Sequence, residues 1–469
     1  VRAAVRRLAG VDGAACDRAT GAGDGLAGVR TAAAGGAGAG AGLGSPRATI
    51  GGLCGDGGSV LWDLFVCHPN YDTASKDIGI SMTRRFHQVY LASAYTFLLT
   101  AVYIFNISEK WSYMGFQKIA SAFSLVIIFV LSSILAFFIP YRFDTRSFLL
   151  AVTHYVFFIP SLIIIASNDL DPSHLATLLV CFILLFSVSS LPLRTFRVAR
   201  FSRKAFFLLV AFLLFLNVIV MAAYGGLTSF NLNIFDVYEF RREASANIPS
   251  IFGYIFSGTS KVVAPMSLAL AIYLRSSFLF VISSLCILLL FGMTSHKSVL
   301  FLPIFVVAFF LALKKSQSLR LVLFIFLGVG LISLLEVFYV LVVDPTTMGL
   351  FNTFIIRRAL FVPPLLDSLY LEFFSGAKML YWSTSKLGLG ISNNPYDLTA
   401  PFLIGREFFA REEMSANSGI IGSGFSHAGY IGVAIYASLA GLLLAFLQAY
   451  GRVIGHAFVS AASLSIFIS

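Results

Sequence analysis

The chain has 469 residues, of which 58% are aliphatic, aromatic or cysteine and only 12% are charged. A soluble globular domain carries roughly a quarter charged residues, and a chain this apolar would expose large aggregating patches in water. The composition therefore excludes a water-soluble protein. The net charge of +11 lies mostly in short segments between apolar runs rather than on one basic face, which argues against nucleic-acid binding.

Residues 1–81 differ from the rest of the chain because they are rich in Ala, Gly and Arg and poor in large apolar side chains. Such a segment buries too little apolar surface to offset the entropy of ordering, so we expect a disordered N-terminal extension. One interpretation is a regulatory or targeting segment. The interpretation we favour is that the natural protein starts near Met82, the first methionine, and that 82–469 forms one transmembrane domain.

Apolar runs long enough to cross about 30 Å of hydrocarbon recur from residue 88 to the end of the chain. They predict an all-α fold, a polytopic transmembrane helix bundle of about 11–12 spans. The last run has no polar tail, which suggests that the natural chain continues. The eleven runs are 88–107, 118–139, 148–166, 172–192, 205–224, 254–273, 276–292, 298–313, 320–343, 427–449 and 453–469.

Lys and Arg in short loops indicate the side of the membrane that each loop faces, because cytoplasmic loops carry the positive charge. Alternation of the eleven spans places all five basic loops on one side, whereas the loop at 167–174 has two Asp, no Lys or Arg, and falls on the other side. We therefore expect a multi-pass protein of the bacterial cytoplasmic membrane with a cytoplasmic N-terminus. The basic residues are Arg84, Arg85, Arg142, Arg146, Arg194, Arg197, Arg200, Arg203, Lys204, Arg275, Lys314, Lys315 and Arg320.

This orientation leaves two long extracytoplasmic loops, 225–253 and 344–426. Within the second loop, 351–374 is apolar but contains Arg357-Arg358 and Pro363-Pro364. Two adjacent arginines are costly at the centre of a lipid-exposed helix, so we expect this segment to pack against the outer end of the bundle rather than to cross. The prolines lack backbone donors and would kink or end a helix there.

Six arginines lie in the predicted extracytoplasmic loops, where the positive-inside rule normally keeps them rare. A guanidinium group presents a rigid fork that binds phosphate oxygens in pairs, so such a cluster suits a diphosphate-linked lipid substrate. The alternative is that some of them form local ion pairs, such as Arg411 with Glu412. The six are Arg241, Arg242, Arg357, Arg358, Arg406 and Arg411.

A general base is expected in the same loops. His427 precedes the last long span, and a histidine titrates near neutrality, but it could equally cap or pack the helix end. The competing carboxylates are Asp236, Glu239 and Glu413. His296-Lys297 lie at the outer mouth of two spans, where Lys297 either contacts substrate or marks a helix end.

Several enzyme classes lack their signatures in this sequence. We find no P-loop, no GxSxG, no HExxH and no His and carboxylate cluster at metal-ligand spacing, so we expect no metal and no cofactor. Among the cysteines, Cys181 and Cys286 lie inside apolar runs, where we expect them to pack as small hydrophobic residues.

Two segments carry a resemblance to a known family. The first is ANSGIIGSGFSHAGYIGVAIYASLAGLLLAFL (416–447), in which Asn417-x-Gly leads through a glycine-rich step into a helix. The second is GMTSHKSVLFLPI (292–304), in which Lys297-Ser opens a span. Together with the large loop near the C-terminus, they resemble the O-antigen polymerases (Wzy type), a family that polymerises oligosaccharide repeat units.

The resemblance implies substrates linked to undecaprenyl diphosphate, with an acceptor sugar hydroxyl attacking the anomeric carbon of the donor. It implies that Arg241, Arg242, Arg357 and Arg358 stabilise the leaving diphosphate, with Arg406 and Arg411 in a secondary role and Lys297 and Asn417 in substrate binding. His427 or a nearby carboxylate would accept the hydroxyl proton. The expected partners are the lipid-linked oligosaccharide, membrane lipid and a chain-length regulator protein.

Two other function classes remain open at this point. An O-antigen ligase, or another lipid-linked-sugar glycosyltransferase, would share the architecture and the leaving group. A polysaccharide flippase or transporter would place charges within the spans and often shows two similar halves, whereas we find no internal repeat here.

Overall fold

The computed structural model describes residues 78–119, 121–169, 171–194, 203–227, 230–232, 256, 258–294, 297–383 and 393–468. Every regular element within these residues is a helix, which confirms the all-α fold class. Residues 1–77 of the predicted extension lie outside the described residues, so its disorder stays a prediction. The helices are α1 Ile78–Val102, α2 Ala122–Phe138, α3 Thr145–Ser167, α4 Pro172–Ser189, α5 Arg203–Met221, α6 Thr259–Tyr273, α7 Ser277–Thr294, α8 Lys297–Ser316, α9 Leu319–Val342, α10 Val362–Gly376, α11 Ala400–Phe409, α12 Ile420–Ile454 and α13 His456–Ile468.

Each of the eleven predicted apolar runs overlaps one of these helices. Eight of the described helices, among them α1 with its continuation to Lys110, are long and apolar enough to cross a membrane, while α2 and α6 are shorter apolar helices. The protein is therefore a multi-pass helical membrane protein. Of the 18 consecutive residues that are most apolar in α3, 83% are buried, so this helix lies at the centre of the bundle. In α9 the corresponding share is 28%. Cys181 and Cys286 are both buried among these helices, as expected.

Four of the five predicted basic turns lie within the described residues and meet at one end of the bundle, which we call the basic end. The Arg320 Nε atom donates to the Tyr141 hydroxyl at 2.8 Å, and Thr145 N–H donates to His456 Nδ1 at 3.2 Å. The Tyr273 hydroxyl donates to the Ile454 carbonyl at 3.4 Å, which places the α6–α7 turn at the same end of the bundle. The Arg85 guanidinium lies over the Phe137 ring at 5.5 Å, which adds the start of α1. The predicted alternation of spans agrees with this arrangement.

The opposite end, called here the distal end, carries the segment that contains the paired arginines. A π-helical stretch, Asn352–Phe361, runs directly into α10. The Phe361 ring lies 5.0 Å from the Tyr103 ring, near the distal end of the first span. This helix is not among the membrane-spanning candidates of the described chain. Its contact with Tyr103 agrees with the expectation that this segment packs against the end of the bundle, while the expectation that it does not cross stays a prediction.

Of the two effects expected from the prolines, a kink or an end, the helix does not end there. The hydrogen-bond pattern changes at Val362, whose N–H bonds to the Arg357 carbonyl in the wide π register. Pro363 and Pro364 then occupy the first turn of α10. A first-turn residue needs no intrahelical N–H donor, so proline is tolerated there.

Candidate functional site

The helix that carries the paired arginines is anchored at its start by a carboxylate of α9. Glu336 accepts hydrogen bonds from Phe351 N–H at 2.9 Å and Asn352 N–H at 2.6 Å. The Asn352 side chain bonds to both the hydroxyl and the carbonyl of Ser333. A negative charge at a helix N-terminus satisfies free N–H groups and opposes the helix dipole. The arginines that follow one turn later are thus held on a fixed support.

Arg357 is buried, with only 5% of its surface exposed. Its guanidinium carbon lies 3.7 Å from the centre of the Trp111 ring, and Nη1 donates to Met114 Sδ at 3.2 Å. Its Nε atom makes no hydrogen bond, and no described carboxylate forms an ion pair with it. Stacking on Trp111 replaces part of the lost hydration, because the face of an aromatic ring attracts a cation. Within the described residues, the group is a charged donor that no carboxylate neutralises.

The surroundings of Arg357 keep it close to the protein surface. Tyr113 is 73% exposed beside it. The neighbouring Arg358 is exposed, with its guanidinium carbon 5.8 Å from the centre of the Phe354 ring. Burial, and to a smaller extent the charge of Arg358, lowers the pKa of Arg357. The pKa of an arginine lies so far above neutrality that Arg357 stays charged. An anion bound here would offset both the burial of this charge and its repulsion from Arg358.

Arg406 and Arg411 differ from Arg357 in what surrounds them. Arg406 forms a bidentate ion pair with Asp397, at 2.8 Å and 3.1 Å. Both partners are partly exposed, so the local ion-pair alternative describes Arg406 well. Arg411 is exposed on the loop after α11, and its backbone N–H donates to the Gly405 carbonyl at 3.2 Å.

His427 lies at a sharp break in α12. Ala428 and Gly429 have non-helical backbone angles, and Gly429 has a φ of 58°, which favours glycine. The break brings the two arms so close that a Cβ on Gly432 would stand 1.9 Å from the Gly424 carbonyl oxygen. The short arm 420–427 is thus folded against the long arm, which is the membrane span.

The loop that follows α10 satisfies the backbone groups that the break releases. Leu380 N–H donates to the Ser426 carbonyl and Tyr381 N–H to the His427 carbonyl, each at 2.9 Å. Unpaired carbonyls would be costly at membrane depth, so irregular backbone is tolerated only where the protein covers it. The docking of this loop also brings Trp382 against His427.

The His427 ring lies close to two aromatic rings. Its centre lies 5.4 Å from that of Trp382 and 6.2 Å from that of Tyr436, both nearly parallel. The backbone N–H of Trp382 donates to His427 Nδ1 at 3.3 Å, so the neutral imidazole ring carries its proton on Nε2. Trp382 Nε1–H donates to the Tyr436 hydroxyl at 3.2 Å. This geometry suits a hydrogen-bond donor at Nε2 better than the proton acceptor that the sequence predicts.

Asp367 on α10 is a buried carboxyl that the sequence analysis did not single out. Its Oδ1 atom accepts hydrogen bonds from Gly419 N–H at 2.9 Å and Gly422 N–H at 3.0 Å, while Oδ2 has no hydrogen-bond partner. It therefore caps the short arm of α12, whose own N-cap residue Gly419 has no side chain. Burial raises the pKa of Asp367 to about 7, against the lowering effect of the two backbone bonds. An ionisable residue inside the apolar stretch VPPLLDSLYL was the available signal.

The remaining candidates are only partly placed. Glu413 and Asn417 are exposed on the loop between α11 and α12, and the Ser415 hydroxyl donates to Asn417 Oδ1 at 3.3 Å. Lys297 is the first residue of α8, and its side chain is not described. Outside the described residues lie Asp236, Glu239, Arg241, Arg242 and His296.

The fold defines a multi-pass helical membrane protein whose distal end carries three polar groups, at Arg357, at Asp367 and at His427. Within the described part of the chain, no three His, Cys, Asp or Glu side chains are grouped to hold a metal ion. Comparison of the chain with models of protein families, with curated proteins and with solved structures found no match.

Proposed function

We propose that the protein is a membrane glycan polymerase that joins undecaprenyl-diphosphate-linked oligosaccharide repeat units at the outer face of the bacterial cytoplasmic membrane. The observation that carries the proposal is Arg357, a buried guanidinium with a free Nε atom, no carboxylate partner among the described residues and a second arginine beside it. A guanidinium fork binds the oxygens of a diphosphate in pairs. The position of this group at the distal end fits a substrate held in the outer leaflet.

The proposed reaction is a glycosyl transfer. The acceptor hydroxyl oxygen bonds to the anomeric carbon of the donor, the bond from that carbon to the diphosphate oxygen breaks, and the diphosphate leaves with the electron pair. A base accepts the hydroxyl proton, with Glu239 and Glu413 as candidates. Fixed donors at Arg357 and Arg358 stabilise the charge that gathers on the diphosphate. The activated donor supplies the energy, so the reaction needs no nucleotide.

The group at the break in α12 gives the proposal a place for the glycan. The rings of Trp382 and Tyr436 lie beside that of His427, and its Nε2–H is the donor that the bond at Nδ1 leaves available. Small-molecule sites are mostly lined by aromatic faces with a few placed polar groups. In the proposed enzyme this group orients a sugar ring rather than removing a proton.

The orientation belongs to the same proposal and is directly testable. A periplasm-active phosphatase fused after Gly390, in the long loop between α10 and α11, is expected to be active. A fusion after Gln317, in the turn between α8 and α9 at the basic end, is expected to be inactive. The opposite pair of results would place the arginines of 344–426 in the cytoplasm and would refute an outer-leaflet site.

Disruption and restoration of the gene test the function itself. A strain without the gene is expected to carry surface glycan of a single repeat unit, and the restored gene is expected to return a ladder of lengths on a gel. Lipid-linked polymer that accumulates without attachment to lipid A would indicate a ligase instead. Unchanged ladders in the disrupted strain would remove the polymerase proposal.

A further inference from the structure

A polar cleft opens at the basic end of the bundle, far from the arginines of the distal end. Its volume is about 240 Å³, and it lies between the start of α3, the end of α4 and the last turns of α12. Its lining includes Arg142, Arg146, Ser189, Gln448 and Arg452. Helices end here, so the cleft is level with the membrane surface.

Positive charge in the cleft exceeds the negative charge that could neutralise it. Three arginines from different segments converge there, against the single carboxylate of Asp144. That carboxylate is already engaged, because Oδ1 accepts Ser147 N–H at 2.8 Å and Oδ2 pairs with Arg142 Nε at 3.4 Å. Arg146 and Arg452 therefore face the cleft without a carboxylate of their own in the described chain.

Arg146 is held in place by its neighbours but keeps an unused donor. Its guanidinium carbon lies 5.0 Å from the centre of the Phe186 ring, and its backbone N–H donates to Gln448 Oε1 at 2.9 Å. Its Nε atom is buried and makes no hydrogen bond. A buried donor without a partner is costly, and a charged one more so, unless a ligand satisfies it.

The backbone N–H groups at the N-terminus of α3 are not available to bind a ligand in the cleft. The N–H groups of Thr145, Arg146 and Ser147 are already bonded to His456, Gln448 and Asp144. The Ser189 hydroxyl already donates to the Phe186 carbonyl at 2.8 Å. The side-chain guanidinium groups, with the amide nitrogen of Gln448 on the same wall, are what is left to bind a ligand. Guanidinium groups converging with neutral polar groups select a phosphate.

We propose that this cleft is a binding site for a phosphate group at the membrane surface, carried by an anionic lipid headgroup or by a soluble phosphate ester. Setting topology requires only that Arg and Lys stand in the loops of this end, as Lys314 and Lys315 do on an exposed turn. It does not require three arginines to meet in one cleft with a buried, unpartnered Nε. The site is independent of the glycan polymerase proposal, because it lies at the other end of the bundle.

The test uses the full-length protein in a phosphate-free maltoside detergent. Dioctanoyl phosphatidylglycerol, glycerol 3-phosphate and dioctanoylglycerol are titrated separately, and binding is followed by thermophoresis. We expect a phosphate-bearing probe to bind and dioctanoylglycerol not to bind. Binding of the lipid alone identifies a headgroup site, whereas equal binding of glycerol 3-phosphate identifies a soluble ligand.

Variants assign the binding to the cleft. The double substitution Arg146→Gln/Arg452→Gln is expected to weaken binding at least about tenfold, the effect of losing one charged hydrogen bond. The single substitution Arg452→Gln alters an exposed side chain, so it keeps the test valid if the double variant does not fold. The matched control Lys314→Gln/Lys315→Gln removes two charges at the same end and is expected to bind normally. No binding of any phosphate probe, or equal losses in variant and control, would overturn the proposal.

Discussion

Replacement of Arg357 by Ala is expected to stop glycan chain extension while the protein remains in the membrane at its normal level. The substitution removes the one described cation at the distal end that is buried and unpaired. Removal of a single donor that stabilises transition-state charge costs about 10²–10³ in rate, which on a gel would leave mostly single repeat units. The measurement is the ladder of surface glycan from a strain that carries only the variant gene.

Two further variants separate the phosphate role from a structural one. Arg357→Lys keeps the charge but loses the planar fork, so we expect short ladders between those of the wild type and Arg357→Ala. Lys118→Gln removes an exposed charge at the same end and is expected to give normal ladders. Full-length ladders with Arg357→Ala would contradict the diphosphate site. A fall in protein level in Arg357→Ala, but not in Arg357→Lys, would assign Arg357 to packing against Trp111.

Replacement of Asp367 by Ala is expected to destabilise the protein by roughly 2–6 kcal/mol. The change leaves Gly419 N–H and Gly422 N–H without an acceptor in a buried place, at a cost of about 1–3 kcal/mol for each group. Asp367→Asn keeps an acceptor oxygen in the same position and is expected to stay near wild-type stability at neutral pH. Thermal unfolding of the purified proteins in detergent measures the difference. Equal midpoints for the Ala variant and the wild type would show that the short arm of α12 needs no cap.

The same residue predicts how stability depends on pH. Burial raises the pKa of Asp367 from 3.8 to about 7 in the folded protein, so folding favours the protonated carboxyl. Its stabilising contribution is therefore fully present below the ordinary pKa and is lost as the pH rises toward 7. We expect the unfolding midpoint of the wild type to fall across this window, and the Asp367→Asn variant to show a flatter dependence. A wild-type slope in the Asn variant would assign the pH dependence to another group.

Hydropathy and charge along the chain were sufficient to predict the architecture. Eight of the eleven apolar runs coincide with helices long and apolar enough to cross a membrane, and two coincide with shorter apolar helices, whereas the last run corresponds to the 13-residue α13. The physical reason is that crossing lipid is a local requirement, since each span must bury its own backbone polar groups in a helix of sufficient length. A window of about 20 residues contains this information.

The grouping of polar side chains was decided only by the tertiary structure. Met114 meets Arg357 across 243 positions, Arg146 meets Gln448 across 302, and Asp367 meets Gly419 across 52. No local period records these pairings, because they depend on how the helices pack and where α12 breaks. The sequence alone could therefore name six external arginines, but packing separated the ion-paired Arg406 from the unpaired Arg357. Packing also places the carboxyl of Asp367, which the sequence analysis did not single out, at the N-terminus of a helix as its cap. It also brings three arginines of the basic end together in one cleft.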